Sequence, residues 1–283
     1  MKKRLFLCFI LALLFNHSSQ AQFRKSFRLS HKLHEISGLE CIGDSLLLAH
    51  NDGGNEPIIY VLNLFGSILK ECRVFNAKNT DWEDLTKDKL GNLYIADIGN
   101  NENKRKKLRV LKLSIIDILT KDSASAEIYP FSYQEQTEFP ALPQNRYFDA
   151  ESILYFNDNL WIFTKCRTLP FDGKSYVYTI KSENLKSGNW KKTQELIPGT
   201  KSWKTDSFTS ATLDNKEQIL CLTYNRLIWL TTSEIGLKIN KTKRFIRYNQ
   251  RECIAVSSTG IIYIANEGNW LLGKQRLRRY KNG

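Results

Sequence analysis

The chain has 283 residues and a formal net charge of +13, and 42% of its residues are hydrophobic, 25% charged and 12% aromatic. This balance is typical of a globular protein and excludes the disordered and collagen-like classes. The length is sufficient for one sizeable domain with a buried core. The basic runs at 104–107 and 276–281 accompany no nucleic-acid-binding motif. We therefore expect no nucleic-acid partner and interpret both runs as solvated surface.

The N-terminal segment predicts an export signal. Basic residues at 2–4 precede an apolar run at 5–15, and small residues then fit the pattern that a signal peptidase requires. The apolar run is shorter than the ~20 residues that span a bilayer as a helix. We therefore predict a signal peptide at 1–21, a single domain at 22–283, a secreted or periplasmic location and no transmembrane helix. An uncleaved anchor is the alternative.

Five cysteines remain after residue 21, and an odd number cannot pair completely within one chain. They are Cys41, Cys72, Cys166, Cys221 and Cys253. They show no CxxC spacing, which disfavours a zinc site. We interpret Cys41, Cys221 and Cys253, which fall in apolar strand segments, as small buried hydrophobes.

An internal repeat is the most informative feature of the sequence. Each copy has a short apolar strand, a polar turn, a second apolar strand and then a loop rich in Asn, Asp or Gly. The five copies lie at 37–51, 83–97, 151–164, 210–224 and 252–266. A third strand is predicted after every copy. A fourth is predicted after the first four copies, at 69–75, 127–133, 190–196 and 243–248.

The repeat predicts an all-β fold, a β-propeller with five four-stranded blades. The fifth copy ends without a fourth strand, whereas the segment 25–33 is a strand that precedes the first copy. An N-terminal strand that completes the last blade would close the ring and remove the open edges. A β-sandwich or barrel also contains many short strands and is the alternative fold.

Several motifs resemble those of known propellers. GNLYIAD at 91–97 and its echo GIIYIAN at 260–266 resemble the blade signature of the NHL-type and gluconolactonase-like propellers. NDGGN at 51–55, DWEDL at 81–85 and DAESI at 149–153 resemble motifs of secreted bacterial propellers related to the esterase-like phytases. The resemblance covers essentially the whole domain and implies a propeller fold. Many of those relatives have six blades, which makes six the alternative to a count of five.

The residues that open the first strand of each copy form the candidate site. In a propeller the innermost strands line a central channel, so their first residues converge at one end of the axis. These residues are Ser37, Glu83, Glu151, Ser210 and Glu252. Carboxylates crowded at an axis repel one another unless they share protons, pair with Arg or Lys, or bind a cation. Oxygen ligands suit Ca²⁺ or Mg²⁺ better than a soft metal.

We predict a metal site formed by Glu83, Glu151, Glu252 and Asp97, with Ca²⁺ or Mg²⁺ as the cofactor. In gluconolactonase-like propellers, acidic and amide residues that open the inner strands hold the catalytic metal. The resemblance implies the same role for the three glutamates here. The alternative is that the glutamates hydrogen-bond the neighbouring blades, with Arg251 neutralising Glu252.

The loops on the same face predict a ligand-binding surface, because turn-forming loops present amides and carboxylates. The candidate ligand-binding residues are Asn51, Asp52, Asn101, Asp149 and Asn266. The alternative for Asp81 and Asp149 is to cap turns between blades. His31, His34 and His50 are predicted near this face, but no Ser-His-Asp order or paired-histidine motif identifies a catalytic histidine.

Two functions remain open from the sequence. The first is an exported propeller, expected to be a monomer, that binds an extracellular glycan, peptide or small molecule on its loop-rich face and contains Ca²⁺ or Mg²⁺. The second is a metal-dependent hydrolase of lactonase or phosphoesterase type. Catalysis requires an open coordination position and a general base beside the metal. Since the sequence offers candidate ligands but no base, it favours binding over hydrolysis.

Overall fold

The computed structural model describes residues 25–233, 236–269, 271 and 273–281, and these form five sheets of mostly antiparallel strands. Strands are numbered in chain order, beginning with β1 (Lys25–Arg28). The helical pieces are short and lie in the connections. They are α1 (Ile115–Thr120), α2 (Trp203–Asp206) and the 3-10 turns His31–Leu33, Pro143–Asn145 and Ser182–Ser187.

Each sheet is one blade of a propeller. Blade 1 contains β2 (Ile36–Ile42), β3 (Leu46–Asn51), β4 (Ile58–Asn63) and β5 (Ile68–Val74). Blade 2 contains β6 (Trp82–Lys87), β7 (Asn92–Asp97), β8 (Leu108–Ser114) and β10 (Glu127–Phe131). The two-residue strand β9 (Ser123–Ala124) lies between β8 and β10 in the chain and pairs with β5 of blade 1. Blade 3 contains β11 (Asp149–Phe156), β12 (Asn159–Lys165), β13 (Ser175–Lys181) and β14 (Lys191–Leu196). Blade 4 contains β15 (Ser210–Leu213), β16 (Ile219–Leu222), β17 (Arg226–Ser233) and β18 (Gly236–Arg244). Blade 5 contains β19 (Arg251–Val256), β20 (Ile261–Asn266), β21 (Arg276–Lys281) and β1.

The five blades close into a ring. The inner strands β2, β6, β11, β15 and β19 contact one another in that order, and β19 returns to β2. The N-terminal strand β1 pairs antiparallel with β21 and covers its edge. The structure therefore confirms the predicted propeller with five blades and an N-terminal closing strand.

Burial between blades holds the ring together. Five clusters of buried hydrophobic residues occupy the five boundaries between neighbouring blades. Between blades 4 and 5, for example, Trp229 of β17 packs with Ile264 of β20 and Tyr280 of β21. The second strand of a blade is apolar on both faces because a blade covers each side of it, whereas an outer strand such as β18 is mostly exposed.

Asp84 lies between the inner strands of blades 2, 3 and 4 and is fully buried. Its carboxylate accepts hydrogen bonds from the N–H groups of Ile153 and Ala211, each at 3.2 Å, and from Ser210 Oγ at 3.0 Å. One side chain of β6 therefore ties together the inner strands of three blades. Burial raises the pKa of this carboxyl well above its ordinary value.

The fourth strand of blade 4 lies earlier in the chain than predicted. The alternation at 243–248 predicted a strand there, whereas β18 spans Gly236–Arg244 and pairs along the whole of β17. The reason is exposure, because β18 faces solvent and carries polar residues such as Lys238 and Asn240. A polar edge strand has no apolar alternation for a pattern search to find.

The cysteines are buried as free thiols, at Cys41, Cys72, Cys166, Cys221 and Cys253. Cys41, Cys221 and Cys253 are each no more than 2% exposed, which confirms them as small buried hydrophobes. The predicted signal peptide at 1–21 lies outside the described residues. Over the part of the chain that the structure describes, no helix has the length and apolarity needed to cross a membrane.

Candidate functional site

A β-bulge opens the inner strand of four blades. In β2, β6, β11 and β19 the register with the second strand shifts across one residue, which is left without a partner opposite. The bulged residues are Ser37, Glu83, Glu151 and Glu252. A bulge re-aims a side chain out of the normal alternation of a strand. Four of the five positions that the repeat singles out therefore owe their orientation to a bulge.

Five carboxylates from blades 1, 2 and 3 gather where these inner strands begin. One oxygen each from Asp52, Asp81 and Glu83 lies within 4.8 Å of the other two, and the same holds for Glu83, Asp149 and Glu151. Glu83 belongs to both groups. We call the residues Asp52, Asp81, Glu83, Asp149 and Glu151 the axial acidic cluster.

Glu83 is the member of the cluster without a counter-charge. It is only 5% exposed, and no described residue donates a hydrogen bond to its carboxylate or forms an ion pair with it. Gly99 leaves room for this side chain, since a Cβ at that position would overlap the carboxylates of Glu83 and Asp81. Burial raises the pKa of Glu83 well above its ordinary value, and the charges of Asp52 and Glu151 raise it further.

Asp52 and Asp81 form the more open side of the cluster. The N–H of Gly53 donates to Asp52 at 2.5 Å, and Arg105 lies 3.6 Å from Asp81. Burial raises the pKa of Asp52 to about 8, against the effect of the Gly53 hydrogen bond. Burial also raises the pKa of Asp81 to about 6, although Arg105 lowers it. Near neutral pH the neutral form of Asp52 is therefore favoured, whereas Asp81 is mostly ionised; a bound cation would favour the ionised form of both.

Asp149 and Glu151 form the paired side of the cluster. Arg167 donates to Asp149 through Nε at 2.7 Å and to Glu151 through Nη2 at 3.2 Å. Lys165, which is 2% exposed, forms an ion pair with Glu151. Three basic groups, Arg105 included, thus face five carboxyl groups, so the cluster has more acidic than basic groups.

Glu252, the third glutamate predicted as a metal ligand, lies beside the cluster rather than within either group of close oxygens. Burial raises its pKa to about 7, although Lys165 lowers it, and Tyr224 and Gln250 also contact it. Gln250 donates a hydrogen bond to Glu267 as well. Burial raises the pKa of Glu267 to about 10, and the charge of Glu252 raises it further.

Asp97, also predicted as a metal ligand, is fully occupied by other groups. Its two oxygens accept hydrogen bonds from Arg105 and Arg109, each at 2.7 Å. The same carboxylate accepts from the backbone N–H of Asp81 at 3.1 Å. Asp97 therefore positions the loop that carries Asp81, instead of offering a free oxygen.

The structure separates the predicted ligand-binding residues into two sets. Asp52 and Asp149 belong to the axial acidic cluster. The other three make hydrogen bonds within the rim: Asn51 donates to the carbonyl of Lys32 at 2.7 Å, Asn266 donates to that of Glu267 at 2.6 Å, and the exposed Asn101 accepts from Arg167. Ser37 donates to the backbone carbonyl of Glu83 in the neighbouring blade 2, and Ser210 of blade 4 donates to Asp84 of blade 2.

The three histidines differ in environment. His31 and His34 are exposed and stack on each other with ring centroids 5.7 Å apart. His50 is fully buried against Trp82, and its Nδ1 contacts the carbonyl of Asn51 at 2.9 Å. Burial lowers the pKa of His50 to about 4. His50 is therefore neutral near pH 7.

Sequence reasoning missed the basic and aromatic residues beside the cluster. The Lys165 ammonium lies 3.3 Å from the Tyr224 hydroxyl, and the Arg167 guanidinium lies 4.5 Å from the ring centroid of Trp203. A signal was present for Lys165, because the β11–β12 hairpin places it directly opposite Asp149. No local pattern connected Tyr224 or Trp203 to blade 3.

No protein-family model matches the chain, and a search of curated proteins finds no match. Among solved structures, a luciferin-regenerating enzyme is similar with a TM-score of 0.50 and 12% identity, over 87% of this chain and 78% of its own. A streptogramin B lyase has a TM-score of 0.43 and 16% identity, over 91% of this chain and 72% of its own. The Dos1 propeller has a TM-score of 0.42 and 13% identity, over 88% of this chain and 59% of its own. At such identities a likeness concerns the fold alone. These neighbours are β-propellers, and this chain is a β-propeller as well.

Proposed function

We propose that the protein binds a divalent cation, Ca²⁺ or Mg²⁺, in the axial acidic cluster, with Glu83 as the central ligand. The observation that carries the proposal is the buried carboxylate of Glu83, on which no residue that the structure describes places a donor or a cation, and which has four other carboxylates around it. A buried carboxylate must be protonated or be neutralised by a cation. The cluster has more carboxyl than basic groups, and a bound cation would let them ionise together.

The donor set fits a hard cation. Every side chain in the two groups of close oxygens is a carboxylate, and oxygen-only sites suit Ca²⁺ and Mg²⁺. Of the two groups, the one formed by Asp52, Asp81 and Glu83 is favoured, because Arg167 and Lys165 already neutralise Asp149 and Glu151. Asp97 and Glu252 are left out of the proposed ligand set.

We propose further that the bound ion holds an extracellular ligand on the loop-rich face. A glycan, peptide or small molecule with oxygen donors would complete the coordination of the ion. Arg167 and the partly exposed Trp203 lie beside the cluster and offer such a ligand a cation and an aromatic ring. Export by the predicted signal peptide and a monomeric state belong to the same proposal.

The test is calorimetric titration of the chelator-treated protein with CaCl₂ and with MgCl₂. We expect one binding event in the wild type, lost in Glu83→Gln. The matched control is Glu40→Gln, because Glu40 is also a buried inner-strand glutamate, 7% exposed, but lies towards the other end of β2 with Lys87 at 2.7 Å. Equal binding by Glu83→Gln and the wild type, or no heat with either ion, would contradict the proposal.

Metal-dependent hydrolysis of a lactone or phosphate ester is the second candidate function. The observation that favours it is the buried Lys165, which links the cluster at Glu151 to the hydroxyl of Tyr224 at 3.3 Å. A divalent ion in the cluster would act as a Lewis acid on a carbonyl or phosphoryl oxygen. Water would attack the carbonyl carbon or the phosphorus and break its bond to the leaving oxygen, a carboxylate of the cluster would take the proton from the water, and Lys165 or Tyr224 would give a proton to the leaving oxygen.

Hydrolysis is tested with a panel of lactones and phosphate esters in the presence of Ca²⁺, Mg²⁺ or Mn²⁺. We expect turnover that falls in Glu151→Gln and in Tyr224→Phe and stays at the wild-type level in Glu40→Gln. Metal binding without turnover of any ester would leave the binding function and remove the hydrolytic one.

A further inference from the structure

The charged residues on the outer strands of blades 4 and 5 are all positive. Strands β18, β21 and β1 contain ten Lys or Arg residues and no Asp or Glu. The adjoining strands β17 and β20 also contain no acidic residue. A large part of the net charge of +13 is therefore concentrated on one side of the ring.

The outer strands of blades 1 to 3 provide an internal comparison. Most of their cations are matched by carboxylates; for example, Lys70 pairs with Asp122 at 2.6 Å and Lys192 with Glu195 at 2.8 Å. No described carboxylate lies within ion-pair distance of Lys241 or Arg276 on the outer strands of blades 4 and 5. Protection of an edge strand from aggregation needs charge but not charge of a single sign. The one-sided distribution therefore requires another explanation.

Strand pairing places part of this charge on the two sides of the boundary between blades 4 and 5. Lys241 and Lys243 lie opposite Trp229 and Leu227, which face blade 5. On the other wall, Arg276 and Arg278 of β21 share the face of Tyr280, which faces blade 4. Arg28 of β1 lies directly opposite Arg276 and shares that face. We call the strip of basic residues along this boundary, formed by Arg28, Lys241, Lys243, Arg276 and Arg278, the basic groove.

The two walls of the basic groove are close to each other and partly preorganised. The Lys243 ammonium donates to the Tyr280 hydroxyl across the blade boundary and lies 4.7 Å from the centroid of that ring. The Lys241 ammonium lies 5.0 Å from the centroid of the Trp229 ring. Contacts between a cation and an aromatic face hold the lysines in place. Less side-chain entropy is then lost when a ligand binds.

The charges within the groove oppose one another. Arg28 and Arg276 are exposed and directly opposed across β1 and β21, an arrangement of like charges that destabilises strand pairing. Burial lowers the pKa of the Arg278 guanidinium, and the charge of Arg276 lowers it further. An anion in the groove would relieve this repulsion.

We propose that the basic groove binds a linear anionic polysaccharide. Residues two apart on a strand are about 7 Å apart, so each wall presents a row of regularly spaced cations. A chain with charge repeated along its length can contact both rows at once. A flat lipid surface would reach only the side chains that project beyond the blade edges, and a membrane is therefore the disfavoured source of the anions.

The test is binding of dextran sulfate, with neutral dextran of the same length as the control probe. The groove variant is Arg28→Gln, Lys241→Gln and Arg276→Gln combined, and the matched control is Lys70→Gln, Lys112→Gln and Lys192→Gln combined. Both variants lose three positive charges from outer strands. At an ionic strength of ~0.15 M we expect binding by the groove variant to weaken at least about tenfold. The slope of log K against the logarithm of the salt concentration should become less negative by about 3. The control variant should stay within about twofold of the wild type.

Folding and the axial acidic cluster are controlled separately. The groove variant should melt at or above the wild-type temperature, because it removes a like-charge pair. Binding should persist in chelator and in Glu83→Gln, which distinguishes the groove from the proposed metal site. Three results would overturn the proposal: equal losses in the two triple variants, equal binding of neutral dextran, or binding of anionic lipid vesicles without binding of dextran sulfate.

Discussion

Replacing Glu83 by glutamine should change stability in opposite directions with and without metal. In the metal-free protein near pH 8, an ionised Glu83 lies within 4.8 Å of other carboxylate oxygens. Each such pair costs about 3 kcal/mol at an effective dielectric constant of ~20. Protonation and relaxation reduce this cost, so we expect Glu83→Gln to stabilise the metal-free protein by about 1–3 kcal/mol. For a domain of this size this is a rise in Tm of roughly 2–6 °C.

Bound metal should reverse the sign of the effect of Glu83→Gln on stability. An ion at 100 times its Kd stabilises the native state by about 2.7 kcal/mol, or roughly 5 °C in Tm. The glutamine variant loses the central ligand and should keep little of this gain.

The assay is thermal unfolding by circular dichroism at pH 8, first with chelator and then with Ca²⁺ or Mg²⁺ in excess. Glu40→Gln, which breaks the pair with Lys87, should lower Tm in both conditions and keep the full response to metal. The reasoning is refuted if Glu83→Gln lowers the metal-free Tm as much as Glu40→Gln does, or if no ion shifts the wild-type Tm.

Three further predictions follow from the same geometry. The folded-state pKa values of Asp81 (about 6) and Asp52 (about 8) are raised above those of the unfolded chain, so their contribution to stability is complete below about pH 4 and is lost as pH rises through these values. Denaturant unfolding in chelator should therefore show lower stability at pH 8 than at pH 5, and added Ca²⁺ should remove the difference; a metal-free protein that is more stable at pH 8 would contradict this. Asp84→Ala leaves three donors from blades 3 and 4 without their acceptor and should lower the free energy of unfolding by about 3 kcal/mol or more. Asp84→Asn keeps an acceptor and should lower it less. The midpoints of urea unfolding would show both effects. Deleting residues 25–28 exposes the edge of β21 and should lower Tm and promote self-association in light scattering; an unchanged monomer would show that β1 does not close the ring.

The fold was readable from the sequence because a propeller repeats one local unit. Each hairpin of inner and second strand is a continuous apolar pattern with a polar turn, and such patterns are set by burial on both faces. The N-terminal segment was the one strand left over, and the last blade lacked one strand. The edge strand β18 was misplaced because solvent exposure removes the pattern on which the prediction depends.

The candidate site was readable only in part. The repeat located Glu83, Glu151 and Glu252, because equivalent positions of repeated units must meet at the axis. It did not show that β-bulges aim these side chains, since a bulge depends on how two strands pair and leaves no fixed residue pattern.

The sequence by itself predicted a ring of five four-stranded blades, with six blades and a sandwich or barrel as alternatives, and acidic residues that converge at one end of its axis. Only the tertiary structure decided which carboxylates are neutralised. Lys165 and Arg167 pair with Glu151 and Asp149, and Arg105 and Arg109 occupy Asp97, whereas no Lys or Arg in the described part of the chain pairs with Glu83. The physical reason is that electrostatic energies depend on distances of a few ångströms and on burial, and both are fixed by the packing of whole blades rather than by spacing along the chain.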